Sequence, residues 1–163
     1  MAARLISDPA LRLHFIGGRF SGYLAGMLWQ HLRQLRADCH MVSGNRPDRI
    51  DSLIDIGRRD LIIAFDYRRY QSQALRVASA AKARNARVVL FTDIYASPLR
   101  ELADLIISAP VESASPFDTM VPALAQVEAL IACLTLRTEN LADRLEGIDA
   151  LRNDFNTHLL EDK

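Results

Sequence analysis

The stretch from Asp60 to Leu75 reads DLIIAFDYRRYQSQAL and decides the fold. Its first part, DLIIAF, is almost continuously apolar, which is typical of a parallel strand covered on both faces. From Tyr70 the sequence becomes helical and is rich in alanine, so that the helix can lie close to a sheet. Between them, DYRRY places an acid, two arginines and two tyrosines where a parallel sheet receives ligands. The stretch predicts a strand, a ligand-binding turn and a helix.

The same alternation of strand and helix runs along most of the chain. Strands are predicted at residues 11–18, 38–42, 60–65, 87–93 and 104–110, and a weak helix at 48–56. Short connections between alternating elements imply right-handed crossovers and a parallel sheet with helices on both faces. We therefore expect an α/β fold, a three-layer αβα sandwich with a five-stranded parallel sheet in flavodoxin-like order.

The composition favours one domain that does not bind nucleic acid directly. The chain has 163 residues, long enough for a substantial core, with 20 basic and 20 acidic side chains. Its two cysteines, Cys39 and Cys133, lie in apolar segments and are predicted to be buried free thiols in a reducing compartment. No stretch reaches the roughly 18 apolar residues of a membrane span, and no secretory signal is present. We predict a cytoplasmic protein without a membrane partner.

The C-terminal part differs from the rest. The polar connector VESASPFD leads into an apolar helix, residues 119–136, with less charge than packing on one sheet face requires. A heptad pattern then follows at Leu141, Leu145, Ile148, Phe155 and Leu159. Two interpretations remain open, a helix that packs on its own domain or the seam of a homodimer or larger homo-oligomer. We predict a linker remnant at 1–10, a domain at 11–137 and a C-terminal helix at 138–163.

Ligands of open parallel sheets bind at the carboxyl ends of the strands, which selects four loops. They are residues 17–21, 66–71, 92–97 and the segment after Pro110. In the first loop, GGRFSG, two glycines precede Ser21 at a helix start. Exposed amides and the positive helix end predict an anion site with Gly18, Arg19 and Ser21. Alternatively, Ser21 is an ordinary N-cap residue.

The second loop is the strongest candidate for anion binding. Arg68 and Arg69 each present a planar fork for a phosphate or a carboxylate, with Tyr67 and Tyr70 as flanking rings. In the alternative interpretation, Asp66 pairs with one arginine and the other is solvated.

The loop at 92–97 offers further polar groups. Thr92, Asp93 and Ser97 are predicted to bind ligand hydroxyls, unless Asp93 and Ser97 only cap the following turn. Histidines occur at positions 14, 31, 40 and 158, outside the predicted ligand loops, and no cluster has the spacing of a metal site. We predict no catalytic base, metal or cofactor, and therefore no enzyme.

Two segments resemble a known family. VVLFTDIYASPLRELADLII and GGRFSGYLA are similar to the sugar isomerase (SIS) domain, in particular to the effector-binding half of RpiR-type bacterial transcription regulators. The resemblance covers about Leu11 to Leu136. Ser21 matches the serine of the family's Gly-x-Gly-x-Ser loop, and Arg19 replaces its second glycine. The resemblance implies the fold deduced above and a phosphosugar ligand.

One loop departs from the family. The Ser-x-Ser-Gly-x-Thr phosphate loop of SIS domains corresponds to Asp66–Gln71, which reads DYRRYQ here. Of the family's phosphate residues only Ser21 transfers, and Ser72 is a candidate replacement for a lost hydroxyl. Because arginine forks suit flat acids as well as phosphate, the expected ligand is a sugar phosphate or a sugar acid.

RpiR-type regulators carry an N-terminal helix-turn-helix domain, and only residues 1–10 precede the first predicted strand here. The resemblance therefore implies a ligand-sensing, dimerising SIS domain that reaches DNA only through a helix-turn-helix domain absent from the chain. Two alternatives stay open. A stand-alone sugar-phosphate isomerase would use Glu112 or Glu128 as its base, and a scaffold without a ligand would form a dimer that weakens when Leu130 or Leu134 is made charged.

Overall fold

The computed structural model describes residues 1–42, 50–95 and 97–161, and for 156–161 it describes the backbone alone. The elements are α1 (Ala2–Ile6), β1 (Arg12–Gly17), α2 (Ser21–Leu35), β2 (Cys39–Met41), β3 (Asp60–Asp66), α3 (Ser72–Lys82), β4 (Arg87–Thr92), a 3-10 helix (Pro98–Glu101), β5 (Leu105–Ser108), α4 (Val121–Thr135) and α5 (Leu141–Glu161).

The five strands form one parallel sheet in the order β2-β1-β3-β4-β5. This confirms the predicted fold class and the flavodoxin-like order. The connections leaving β1 and β3 run to opposite sides of the sheet, so the topological switch point lies between these two strands. Their carboxyl ends are in register, with Gly17 beside Phe65.

The sheet separates two apolar layers. Side chains on one face, including Phe15, Leu61 and Phe65, pack with helices α1, α2 and α4. Those on the other face, including Ile62 and Ala64, pack with α3 and the 3-10 helix. Every residue of β3 is buried, which explains the continuous apolar run DLIIAF.

The turn from β1 into α2 requires glycine. A Cβ atom at Gly17 would lie 2.6 Å from the Cα and N atoms of Gly22, a distance no side chain tolerates. The two glycines allow the first turn of α2 to touch the end of β1, which positions the first loop beside β3.

The N-terminal segment is packed onto this domain. Helix α1 lies within residues 1–10, which the sequence assigns to a linker remnant, and Ile6 is fully buried. The Arg36 guanidinium at the end of α2 donates hydrogen bonds of 2.8 Å to the carbonyls of Ile6 and Asp8. The proposed linker therefore contributes to the core.

A buried polar cluster lies at the amino ends of β1 and β3. His14 Nε2 donates to Asp60 Oδ1 at 2.7 Å, and Arg12 Nη2 donates to Asp60 Oδ2 at 2.7 Å. Burial acts to raise the pKa of Asp60, but hydrogen bonds from Arg12, the Gly57 amide and His14 outweigh it and lower that pKa. Burial also lowers the pKa of His14, which favours the neutral imidazole.

The C-terminal helices partly correct the sequence predictions. Leu130 and Leu134 of α4 face the core of their own domain, so charging them would disrupt folding rather than test a dimer. Arg144 joins α5 to the end of α2 by donating to the carbonyls of Arg33 and Gln34, whereas residues 149–155 are exposed. The side chain of Leu159 lies outside the described residues.

Other predictions differ in detail. Cys39 is half-buried but Cys133 is exposed, so the prediction of two buried thiols is wrong for Cys133, which lies on the outer side of α4. Part of the predicted helix at 48–56, residues 48–49, lies outside the described residues; 50–51 are helical and 52–55 form turns. None of the described helices is long and apolar enough to cross a membrane.

Candidate functional site

A cleft of about 940 Å³ opens at the carboxyl ends of β1 and β3. Its walls are the first loop, the arginine loop and the connector between β5 and α4. The lining residues are Gly18, Arg19, Phe20, Ser21, Asp66, Tyr67, Arg68, Arg69, Gln71, Pro116, Phe117, Asp118 and Met120. The structure thus brings together three of the four segments selected from the sequence.

Ser21 fastens the first loop to the sheet. Its side chain is 5% exposed, and its hydroxyl accepts from the Gly18 amide at 2.9 Å and donates to the Phe65 carbonyl at 2.7 Å. The N-cap position is Phe20, so the alternative interpretation of Ser21 as the N-cap is wrong. The hydroxyl proton is used inside the protein, which leaves one oxygen lone pair toward the cleft.

The arginines of the second loop have different surroundings. Arg68 Nε and Nη2 donate to the two oxygens of Asp118 at 2.6–3.0 Å, and the guanidinium lies 4.8 Å from the centre of the Tyr95 ring. Arg69 is exposed, lines the cleft and has no ion pair or hydrogen bond with the described part of the chain. Asp66 pairs with neither, so that alternative interpretation is wrong. Arg69 and Arg19, whose guanidinium stacks on Phe20, are therefore available to an anion.

Asp66 forms part of the cleft floor. It is 1% exposed, and its oxygens accept from the Ser97 hydroxyl at 2.6 Å and the Gln71 amide at 3.2 Å. Burial raises the pKa of Asp66, although these hydrogen bonds oppose the rise. Thr92 Oγ1 donates to the Asp66 carbonyl at 2.7 Å. These contacts join the ends of β3 and β4.

The remaining predicted residues also hold loops. Asp93 is fully buried and accepts from the Arg68 amide, the Tyr70 hydroxyl and the Tyr95 amide at 2.6–2.9 Å. Ser97 accepts from the Leu99 amide and caps the 3-10 helix, as the capping alternative expects. Ser72 is exposed at the start of α3 and, with Thr92, Asp93 and Ser97, does not line the cleft. Their assignment as ligand contacts remains a prediction.

The sequence did not indicate two cleft residues, Asp118 and the hydroxyl of Tyr67. Tyr67 is 5% exposed, and its hydroxyl is buried with no hydrogen-bond partner in the described part of the chain. Burial raises the pKa of this hydroxyl well above its ordinary value. Asp118 lies in the polar connector, where its position after the last strand was the available signal, but not its pairing with Arg68.

The suggested catalytic glutamates are unsuited to the cleft. Glu112 accepts a hydrogen bond from the Tyr95 hydroxyl, which lowers the pKa of its carboxyl group. Glu128 is exposed on α4 and does not line the cleft. Among residues 1–42, 50–95 and 97–161, no group of three or more histidine, cysteine or acidic side chains is arranged to hold a metal ion.

Solved structures share this architecture. The sugar isomerase domain of an RpiR transcription factor from Sphaerobacter thermophilus is 23% identical, with a TM-score of 0.83 over 91% of this chain and 84% of that one. Vibrio vulnificus NanR complexed with ManNAc-6P is 20% identical, with a TM-score of 0.72 over 91% of this chain and 59% of that one. An E. coli CFT073 protein in complex with a sugar phosphate is 19% identical, with a TM-score of 0.71 over 88% of this chain and 79% of that one.

At these identities the structural matches establish a common fold. No curated protein sequence matches the chain. The SIS domain family model, however, matches residues 5–133, which includes both loops of the cleft and most of α4. The chain therefore belongs to the SIS domain family, as the resemblance in its sequence implied.

Proposed function

We propose that this chain is a sensor domain that binds an anionic sugar, either a sugar phosphate or a sugar acid, in the cleft between β1 and β3. The observation that carries the proposal is the position of Arg69. Its guanidinium has no partner in the described part of the chain, and it faces a cleft at the switch point of the sheet. An exposed cation at such a position favours an anionic ligand.

The ligand class is supported by two observations. Two structures of similar fold are complexes with sugar phosphates, one of which is ManNAc-6P. In this chain, however, DYRRYQ replaces the family's small phosphate-cradling residues, and an arginine fork accepts either a carboxylate or a phosphate. We therefore keep both anions in the proposed class.

The proposed output is regulation of transcription through a homodimer, in which DNA is contacted by a helix-turn-helix domain outside these 163 residues. The similarity to the RpiR and NanR folds supports this role. Helix α4 exposes Val121 and Leu124, and Leu136 is exposed at its end; all three would be covered in a dimer. A ligand can change the output only by binding two dimer arrangements with different affinity.

A second candidate is a sugar-phosphate isomerase. It is favoured by Asp66, a cleft carboxyl group whose pKa is raised by burial, as a general base requires. Against it, both Asp66 oxygens already accept hydrogen bonds from Ser97 and Gln71. Interconversion of aldose and ketose phosphates at enzymatic rates, abolished by Asp66→Asn, would establish this alternative and contradict the sensor proposal.

The test is a thermal-shift screen with sugar phosphates and sugar acids on the wild-type chain, Arg69→Ala and Arg76→Ala. A ligand at about 100 times its dissociation constant stabilises the folded state by about 2.7 kcal/mol. Because charge-assisted hydrogen bonds contribute roughly 1.5–3 kcal/mol, Arg69→Ala should weaken binding roughly tenfold or more.

Arg76 is the matched control, since it is exposed on α3 and does not line the cleft. Arg76→Ala should keep the wild-type shift. The proposal is wrong if no anionic sugar shifts the wild-type chain, or if Arg69→Ala and Arg76→Ala respond equally.

A further inference from the structure

The connector between β5 and α4 is a compact loop over one side of the cleft. The Thr119 amide donates to the Val111 carbonyl at 2.9 Å and closes the neck of the loop. Inside it, the hydroxyls of Ser113 and Ser115 donate to the Phe117 carbonyl at 2.9 and 3.1 Å. Because these bonds are internal, residues 112–118 can move as one unit, which we call the lid.

Two side-chain contacts fasten the lid to the arginine and 92–97 loops in the described part of the chain. Asp118 accepts from Arg68, and Glu112 accepts from the Tyr95 hydroxyl. The guanidinium of Arg68 lies over the Tyr95 ring, so the two contacts are adjacent. At the lid's tip, Phe117 is 77% exposed and adds little attachment.

The contact between Asp118 and Arg68 has the geometry of ligand recognition. A planar carboxylate receives two N–H groups of one guanidinium, at 2.9 Å from Nε and 2.6 Å from Nη2 to Oδ1, with Oδ2 at 3.0 Å from Nε. A carboxylate or phosphate ligand would use the same two donors. Arg68 cannot offer this fork to both groups at once.

The closed lid also leaves a polar group unsatisfied. Tyr67 packs in the same apolar layer as Val111 and Ala123, which flank the lid in sequence. Its hydroxyl is buried without a partner in the described part of the chain, an arrangement that opposes closure. Opening the lid would give this hydroxyl access to water or to a ligand.

We propose that Asp118 is an internal competitor for the anionic group of the ligand. It occupies Arg68 while the lid is closed, and an anion that takes Arg68 displaces it and releases one of the two contacts that hold the lid. The lid continues directly into α4, so its release reaches the helix assigned to the dimer. The inference rests on the proposed function for the existence of an anionic ligand.

The first test compares anion affinity in the wild-type chain, Asp118→Asn and Asp143→Asn. Calorimetric titrations with inorganic phosphate and with gluconate, at equal ionic strength, separate a tetrahedral from a planar anion. Removing the competitor should tighten binding about fivefold, the factor that corresponds to a partly exposed ion pair of about 1 kcal/mol. Asp143 is an exposed acid on α5, so Asp143→Asn makes the same charge change and should leave the affinity unchanged.

The second test measures the lid without any ligand. Amide hydrogen exchange of residues 112–118 should be faster in Asp118→Asn than in the wild-type chain, and saturating anion should accelerate it in the wild-type chain. The same segment offers chymotrypsin one exposed aromatic site, Phe117. Cleavage there should follow the same order.

The outcomes separate the two proposals. If phosphate or gluconate binds with equal affinity to the wild-type chain and Asp118→Asn, the competitor proposal is wrong and the proposed function stands. If Asp118→Asn loosens the lid but no anion binds either protein, both the competition and the proposed function are wrong. Unchanged hydrogen exchange in Asp118→Asn would show that Asp118 does not hold the lid.

Discussion

At the scale of single residues, Tyr67 gives the most direct test of the cleft. Its hydroxyl is buried without a partner in the described part of the chain, and such a group costs about 1–3 kcal/mol. Tyr67→Phe removes the hydroxyl and keeps the ring. We expect the free energy of unfolding to rise by about 1 kcal/mol in urea denaturation, because the folded state loses an unsatisfied donor.

Tyr70→Phe is the matched control for this prediction. The Tyr70 hydroxyl donates to Asp93 Oδ1 at 2.6 Å, so its removal should lower the free energy of unfolding by about 1 kcal/mol. If both variants are destabilised equally, the Tyr67 hydroxyl has a partner in solution, and its part in opposing lid closure would be lost.

Ser21 shows how far residue patterns predict a site. Two glycines followed by a serine at a helix start correctly indicated that Ser21 would line the cleft. The pattern did not reveal that the hydroxyl donates to the Phe65 carbonyl, because that partner is 44 residues away. Ser21→Ala would therefore disturb the loop as well as any ligand contact, which makes Arg69→Ala the cleaner variant.

At the scale of elements, the sheet was predictable and the lid was not. The strand β3 reads as buried because its apolar run is local, and the alternation of elements fixes parallel pairing. The lid, in contrast, depends on Arg68 and Asp118, which are 50 residues apart, and on Tyr95 and Glu112, which are 17 apart. Side-chain pairs between loops leave no periodic signal in the sequence.

The paired strands β1 and β3 carry a pH-sensitive contact at their amino ends. Burial lowers the pKa of His14, with smaller contributions in the same direction from His40 and Arg12, while Asp60 opposes the change. His40 stacks on His14 with ring centres 5.3 Å apart. The folded state therefore resists protonation of His14, whereas the unfolded chain takes up that proton near pH 6.5.

This difference predicts that acid weakens the fold before the carboxylates titrate. Between about pH 7 and pH 5 the unfolded chain binds more protons than the folded one, so the free energy of unfolding falls as pH falls. Below about pH 4 the lowered pKa of Asp60 adds a further loss in the same direction. Urea denaturation of the wild-type chain and His14→Asn at about pH 5, 6 and 7 measures the first effect.

In His14→Asn the slope across this pH range should be smaller than in the wild-type chain. His31→Gln is the control, since His31 lies on α2 and its Nδ1 contacts the Met27 carbonyl rather than an acid. Equal slopes in the wild-type chain and His14→Asn would assign the pH dependence to other groups.

At the scale of the whole molecule, the helices α4 and α5 leave two apolar surfaces exposed. At α4, Leu124 is 37% and Leu136 is 89% exposed, while on α5, Leu151 is 60% and Phe155 is 74% exposed. The heptad pattern predicted the α5 surface, but it could not show which residues of α4 point outward. That distinction depends on how α4 packs against the sheet, which buries Leu130 and Leu134 instead.

We expect the α4 surface to form the dimer, because the lid leads directly into it and the proposed signal must cross the subunit contact. The wild-type chain should then have twice the chain mass of 18.3 kDa in light scattering coupled to gel filtration. Leu124→Glu buries an unpaired charge in the contact, which should weaken the dimer roughly hundredfold, or about 3 kcal/mol. Leu151→Glu on α5 is the matched control and should remain dimeric. Dissociation by Leu151→Glu alone would assign the dimer to α5, and a monomeric wild-type chain would contradict dimerisation altogether.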